Sequence, residues 1–193
     1  MPNYKIYLAG PEVFLPEFGK PVFDAKKSMC AEFDFEGVSP MDGELDLGVL
    51  SAFQQGVAIY RGNLDHMKRC DAVIANMTPF RGVSMDAGTA FEMGYMAAMG
   101  KPVLGYTHVT SPFHHRSIGY YEHGREDLLE MYSAGTSVER FDMPDNLMMV
   151  SAVHEGGFRV HQMDVPAGCE LTSLDAFRAC LIELSAVCTR RSA

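Results

Sequence analysis

The chain lacks the residue patterns of disulfide-bonded and metal-binding proteins. Its cysteines are odd in number and include no C-x-x-C pair, which argues against a disulfide framework and a zinc site. The pairs His114–His115 and His154–His161 match no helical metal-ligand spacing, and the acidic stretch 42–46 lacks the spacing of an EF-hand loop. We therefore expect no metal, and reduced thiols that lie mostly in the core at positions 30, 70, 169, 180 and 188.

Long hydrophobic runs and an excess of positive charge are also missing. No segment approaches the roughly 18 apolar residues of a membrane span, and the N-terminus enters a strand pattern at once. The 25 acidic and 16 basic side chains give a formal net charge of -9, which repels phosphate backbones and anionic membrane surfaces. We expect a cytoplasmic protein with one domain over residues 1–193 and no nucleic-acid or membrane partner.

Three common catalytic fingerprints are absent. The sequence contains no G-x-G-x-x-G, no G-x-x-x-x-G-K-[ST] and no G-x-S-x-G. Their absence removes the usual dinucleotide-binding, P-loop and serine-hydrolase interpretations.

What the chain does contain is an alternation of strand and helix patterns with short connections. This alternation predicts an α/β fold in which helices cover both faces of an open parallel sheet. The predicted strands are 5–9, 35–40, 71–77, 103–107 and 158–163, and the main predicted helices are 21–33, 52–69, 87–100, 146–153 and 173–188. Segment 108–142 is less regular, with a short helical pattern near 126–132, and is predicted to be a lid or an interface segment.

Ligands of such folds bind beyond the carboxyl ends of the strands. The segments 7–11, 77–86 and 106–107 are therefore expected to line one crevice. Glu92 is the only charged residue between Ala87 and Gly100, in the helix that rises from this crevice. A buried charge is costly, so this carboxylate requires partners from elsewhere in the fold or is reserved for chemistry.

Other residues near this crevice have two interpretations each. Asp86 suits a helix N-cap, which its spacing favours, but paired with Glu92 it also suits covalent glycosyl transfer. Tyr7 is either a core residue or a hydrogen-bond donor to a carboxylate. Phe80 could hold an aromatic base or simply form a surface turn, and Arg81 could contact a phosphate or only solvent.

Several motifs together carry a resemblance to a known family. The segments YLAGPEVF, IYRGNLDHMKRCDAVIANMTPFRG, DAGTAFEMGYMAAMGKPV and DNLMM occur in this order between about residues 4 and 149. They resemble the nucleoside 2-deoxyribosyltransferase family, and most closely its bacterial and protozoan branch. The resemblance implies a flavodoxin-like fold with a five-stranded parallel sheet. It also implies exchange of the base of a 2'-deoxynucleoside for another nucleobase, without a metal or organic cofactor, in deoxyribonucleoside salvage.

The same resemblance implies roles for particular residues. Glu92 would be the nucleophile that forms a deoxyribosyl ester, Asp86 would protonate the departing base, and Tyr7 would position Glu92. The segment Asn146–Met148 would reach in from a neighbouring subunit, with Asn146 on the sugar 5'-hydroxyl, so a homo-oligomer of at least two chains is expected. Where many members have Asp facing the 2-deoxy position, this chain has Asn63. The candidate substrate-binding residues are Gly10, Phe14, which would pack on the base, Asn63, Phe80, Asn146 and Met148.

Two other functions remain open at this point. The first keeps the nucleophile but lets water complete the reaction, which gives an N-glycosidase acting on deoxynucleosides or on deoxynucleotides. In the nucleotide case, Arg81 and Ser84 would contact the 5'-phosphate. The second is a non-catalytic nucleotide-binding module that uses the same crevice.

Overall fold

The fold is built on one open sheet of parallel strands. A computed structural model describes residues 4–43, 47–122 and 138–191. The strands lie in the order β2-β1-β3-β4-β5, and every neighbouring pair is parallel. They are β1 (Tyr4–Ala9), β2 (Phe35–Val38), β3 (Ala72–Asn76), β4 (Val103–Thr107) and β5 (Val160–Gln162). The predicted five-stranded parallel sheet is confirmed.

Helices cover both faces of this sheet. They are α1 (Lys20–Glu32), α2 (Ala52–Arg69), α3 (Ala87–Ala98), α4 (Phe113–Glu122), α5 (Leu147–Glu155) and α6 (Asp175–Arg191). Helices α1 and α6 pack against each other, and α3 packs against α5, so each pair belongs to one face. Two short 3-10 turns, Pro11–Phe14 and Pro16–Gly19, connect β1 to α1. None of the helices in the described ranges is long and apolar enough to span a membrane.

Helix α4 was not predicted from the sequence, because residues 113–122 lie in a stretch with a weak helical pattern. The stretch contains Gly119 and two histidines, which have low helix propensity. Contacts with distant segments compensate for this composition: the Phe113 amide donates to the Met143 carbonyl at 2.9 Å, and Arg116 bonds the Val83 carbonyl. The helical pattern predicted near 126–132 lies outside the described residues.

The side chains of strand β1 contact both helical layers. Residues Ile6 to Ala9 are fully buried. Because successive strand residues point to opposite faces, Tyr7 and Leu8 contact different layers. Leu8 and Cys30 of α1 both lie beside Gly37, whereas Tyr7 contacts Glu92 of α3.

The strand order reverses beside β1, and this reversal locates the crevice. The chain runs from β1 outward to β2 and then returns to β3 on the other side of β1. In open α/β sheets such a reversal leaves a gap between the loops that follow the two adjacent strands, here β1 and β3. The loop after β1 carries residues 10–19, which include Gly10 and Phe14, and the loop after β3 carries residues 77–86, which include Phe80 and Asp86.

Candidate active site

Helix α3 begins at a cap formed by Asp86. The Asp86 side chain accepts hydrogen bonds from the Thr89 amide at 2.9 Å and from the Thr89 hydroxyl at 3.1 Å. A carboxylate at this position satisfies a free helix amide and interacts favourably with the helix dipole. The helix ends at Ala98, and Gly100 adopts a φ of 68° just beyond it. The capping interpretation of Asp86 is confirmed.

Glu92 and Tyr7 form the central contact of the site. The Tyr7 hydroxyl donates to Glu92 Oε1 at 2.7 Å. Tyr7 is fully buried, and Glu92 is 9% exposed. Within residues 4–43, 47–122 and 138–191, no lysine or arginine forms an ion pair with Glu92. The carboxylate therefore has a neutral partner from a different element.

This environment changes how Glu92 ionises. Burial raises the pKa of the Glu92 carboxyl from 4.5 to about 7, and the nearby negative charge of Asp86 adds to the increase. The hydrogen bond from Tyr7 opposes it, because it stabilises the charged form. Burial, together with the Glu92 charge, also raises the pKa of Tyr7 far above its usual value. Tyr7 thus remains a hydroxyl donor while Glu92 titrates near neutral pH.

Two aromatic rings and a guanidinium lie together on the loops after β1 and β3. The rings of Phe14 and Phe80 are stacked, with centroids 5.2 Å apart and planes inclined by 12°. The guanidinium of Arg81 lies 4.5 Å from one centroid and 4.7 Å from the other. Arg81 has a φ of 55°, a left-handed conformation that is strained in a non-glycine residue. Phe14 is 51% exposed, so an aromatic surface faces solvent here.

Gly10 is required by close packing with Glu12. A Cβ at position 10 would lie 1.9 Å from Glu12 Oε2. Glu12 is fully buried, and its Oε1 accepts bonds from Lys26 Nζ at 2.5 Å, Asn76 Nδ2 at 2.8 Å and the Tyr106 hydroxyl at 3.3 Å. Gly10 was predicted to contact substrate, and the geometry gives it this packing role.

The charged network around Glu12 was not predicted from the sequence. A signal for it was present, because Lys26 lies on the same stripe of α1 as the buried residues Phe23 and Cys30. A lysine in such a stripe requires a carboxylate partner. Glu12 follows the glycine and proline that end β1, and the sequence gives no reason to pair it with a particular lysine.

The segment Asn146–Met148 forms the start of α5. Asn146 is the N-cap, and its side chain accepts from the Met148 amide at 3.0 Å. Its Nδ2 also donates to Glu139 Oε1 at 2.6 Å, and Glu139 Oε2 accepts from the Leu147 amide at 3.3 Å. Met148 is 70% exposed. The preceding residue, Asp145, which was not among the predicted site residues, bonds the Met85 amide just before Asp86.

Asn63 lies apart from the hydrogen bonds described above. It is half-buried on α2, a helix that contacts β1. In the part of the chain that the structure describes, no hydrogen bond joins its side chain to Tyr7, Asp86 or Glu92. The structure thus brings Tyr7, Asp86 and Glu92 together and leaves the predicted role of Asn63 without a direct contact.

Comparisons with known proteins identify the family of this chain. The sequence model of the family described as nucleoside 2-deoxyribosyltransferase matches residues 6–148, which include Tyr7, Asp86 and Glu92. The chain belongs to this family. A 2-desoxiribosyltransferase structure from Leishmania mexicana is 30% identical with a TM-score of 0.62, and the match covers 96% of this chain and 98% of that one.

Two other matches extend the likeness, one in fold and one in sequence. A conserved protein from Enterococcus faecalis V583 matches over 94% of this chain and 99% of its own, with a TM-score of 0.53 and 15% identity, which supports the fold alone. An uncharacterized protein of Schizosaccharomyces pombe is 40% identical over 105 residues, 53% of this chain. The matched region spans about half (49%) of the length of this curated relative.

Proposed function

We propose that this nucleoside 2-deoxyribosyltransferase family member exchanges the base of a 2'-deoxynucleoside through a covalent intermediate on Glu92. The observation that carries the proposal is the environment of this carboxylate. It is nearly buried, its partner is the neutral Tyr7 hydroxyl, and its pKa is raised to about 7. A carboxylate that lacks a cationic partner and titrates near neutral pH suits attack on an electron-poor carbon.

In the first half-reaction, a Glu92 oxygen attacks C1' of the sugar and forms an ester. The C1'–N bond breaks, its electron pair goes to the base nitrogen, and that nitrogen receives a proton through Asp86, which recovers one from the incoming base in the second half-reaction. The transition state resembles an oxocarbenium ion, so the negative charge of Glu92 stabilises it. Tyr7 holds Glu92 in place through the 2.7 Å hydrogen bond.

The second half-reaction reverses these steps with another base. A nitrogen of the incoming base attacks C1', and the ester C–O bond breaks with its electron pair returning to Glu92. Asp86 accepts the proton that the incoming base loses. We assign the base to the aromatic surface of Phe14 and Phe80, because stacked rings suit a planar heterocycle.

The contacts of Ser84, Arg81 and α5 favour a nucleoside over a nucleotide as the substrate. Ser84 donates to the Asp145 carboxylate, and Arg81 lies over two aromatic rings. A helix N-terminus attracts phosphate through its free amides. At the start of α5, however, the Leu147 amide already bonds Glu139 and the Asn146 amide bonds Asp145. Two carboxylates at this helix terminus would repel a 5'-phosphate.

A homo-oligomer with shared sites is also part of the proposal. Met148 is 70% exposed beside Asn146, which suits a segment that enters a neighbouring subunit. The test is to mix two inactive variants, Glu92→Gln and Asn146→Ala, under conditions that exchange subunits. If Asn146 acts across the interface, hybrid molecules contain one complete site and activity returns. If it acts within its own chain, no activity returns.

The deciding experiment incubates the protein with deoxyinosine, with and without adenine or cytosine, and follows bases and nucleosides by chromatography. The proposal expects a new deoxynucleoside whose formation depends on the acceptor base. Hypoxanthine released equally without an acceptor would instead identify a hydrolase. No turnover of any kind would favour the non-catalytic binding module.

A further inference from the structure

Asp145 is a buried carboxylate that bonds the loop leading to Asp86. It is 1% exposed. One oxygen accepts from the Ser84 hydroxyl and, at 2.7 Å, from the Asn146 amide, and the other accepts from the Met85 amide at 2.9 Å. The carboxylate therefore joins the start of α5 to the two residues immediately before Asp86.

Arg116 of α4 also bonds this loop. Its Nε donates to the Val83 carbonyl at 2.9 Å, and its Nη2 donates to the Pro144 carbonyl at 2.8 Å. Nη2 also lies 3.7 Å from Asp145 Oδ2. Together, Arg116 and Asp145 bond three successive residues, Val83, Ser84 and Met85, through their backbone or side-chain groups.

Burying the charges of Asp145 and Arg116 carries a desolvation cost. A buried ion pair contributes little net stability, because desolvation offsets much of the attraction between the charges. Here both members of the ion pair bond a loop that contains the strained Arg81 and ends at Asp86. Proton transfer to a leaving group depends on placement within hydrogen-bond reach, so an error of about 1 Å is expensive.

We propose that Asp145, supported by Arg116, is a positioning residue that fixes the Val83–Met85 backbone so that Asp86 is placed for proton transfer to the departing base. This inference rests on the proposed function, because it takes Asp86 as the proton donor. In this proposal Asp145 does not contact the substrate and acts only through the loop. Loss of the Asp145 carboxylate should therefore impair proton donation and leave attack by Glu92 largely intact.

The test compares Asp145→Asn with the wild-type protein on two substrates. Deoxyinosine requires a proton on its departing base, whereas 7-methyl-2'-deoxyguanosine already carries a positive charge and its base leaves as a neutral molecule. With adenine as acceptor in both cases, we expect kcat/KM for deoxyinosine to fall about 10- to 100-fold, since general acid catalysis contributes on that order. The value for the methylated substrate should fall less than about threefold, after subtraction of its spontaneous hydrolysis.

Further variants separate positioning from general damage to the fold. Asp86→Asn should show the same selective loss, and Ser84→Ala, which keeps both buried charges, should show a smaller one. Asp71→Asn is a matched control, because Asp71 also accepts from a backbone amide, that of Lys5 at 2.8 Å, but at the opposite end of the sheet. It should leave both substrates unaffected.

Equal losses on the two substrates, or no loss on deoxyinosine, would overturn the positioning role of Asp145. If Asp145→Asn does not fold, Ser84→Ala decides by the same comparison. Failure of the wild-type protein to transfer deoxyribose from either substrate would instead overturn the proposed function, so the two failures are distinguishable.

Discussion

Two buried glutamates near the carboxyl ends of the strands have opposite surroundings. Glu12 lies between a lysine, an amide and a phenol, with Lys26 Nζ at 2.5 Å. Glu92 has the Tyr7 hydroxyl as its partner, and its pKa is raised to about 7. Both carboxylates are costly to bury, but among the described residues only the first has a cation to compensate for the cost. The difference separates a carboxylate that holds the fold together from one that is available for chemistry.

The largest expected effect tests the Glu92 side of this comparison. Glu92→Gln keeps an acceptor for Tyr7 but removes the nucleophile, so we expect transferase kcat to fall at least about 10³-fold. Steady-state kinetics with deoxyinosine and adenine measures the loss, and circular dichroism checks the fold. A folded variant that retains its activity would exclude Glu92 as the nucleophile.

The next largest effect tests whether the ion pair of Glu12 with Lys26 stabilises the fold. Lys26→Met leaves Glu12 buried without a cation, and we expect the free energy of unfolding to fall by about 3–5 kcal/mol. Urea denaturation measures this loss. The folded fraction should keep most of its kcat, because the hydrogen bonds that the network makes among the described residues reach neither Tyr7 nor Glu92.

A double variant serves as the control for this second prediction. Glu12→Gln combined with Lys26→Met removes both charges, so it should recover part of the lost stability. If the single and double variants were equally unstable, the lysine would contribute by packing on Phe23, Tyr106 and Phe177 rather than by its charge.

A third effect is the loss in the free energy of unfolding when the buried Glu92 carboxyl ionises. Its folded-state pKa lies above its ordinary value, so the folded state binds the proton more tightly than the unfolded chain. Stability is therefore lost as pH rises from about 4.5 to about 7, by up to about 3 kcal/mol at 1.36 kcal/mol per pKa unit. Glu92→Gln removes this penalty.

The measurement is the free energy of unfolding of Glu92→Gln and wild type between pH 5 and pH 8. The variant should be more stable at pH 8, and the advantage should shrink towards pH 5. A difference that does not change with pH would mean that the raised pKa does not describe Glu92.

The smallest effect belongs to Tyr7. Tyr7→Phe removes a hydrogen bond that lowers the pKa of Glu92, so that pKa should rise further. Because the ionised carboxylate is the nucleophile, the acidic limb of the kcat/KM profile should move to higher pH. A pH–rate profile detects the shift, and an unchanged profile would contradict it.

The sequence predicted the parallel sheet, and it predicted that Glu92 needs a partner from elsewhere in the fold, for clear physical reasons. Strand patterns that alternate with helix patterns predict parallel strands. Glu92 is the only charged residue on the apolar helix α3, and this isolation marks it as a carboxylate that needs a partner. Helix α4 was missed because tertiary contacts of Arg116 and Phe113, rather than local propensity, stabilise it. The Glu12 and Asp145 contacts were missed because side-chain pairing between distant segments leaves no periodic signal in one sequence.

The long sequence separations of these contacts determine when the site can form. Tyr7 and Glu92 lie 85 positions apart, Glu12 and Asn76 lie 64 apart, and Met85 and Asp145 lie 60 apart. Contacts across such separations carry a large loop-closure entropy, and folds rich in them form slowly. Local helices such as α2, with its own capping box, can appear early in folding. Activity should accordingly be the last property to return when the denatured chain refolds, well after its helical content.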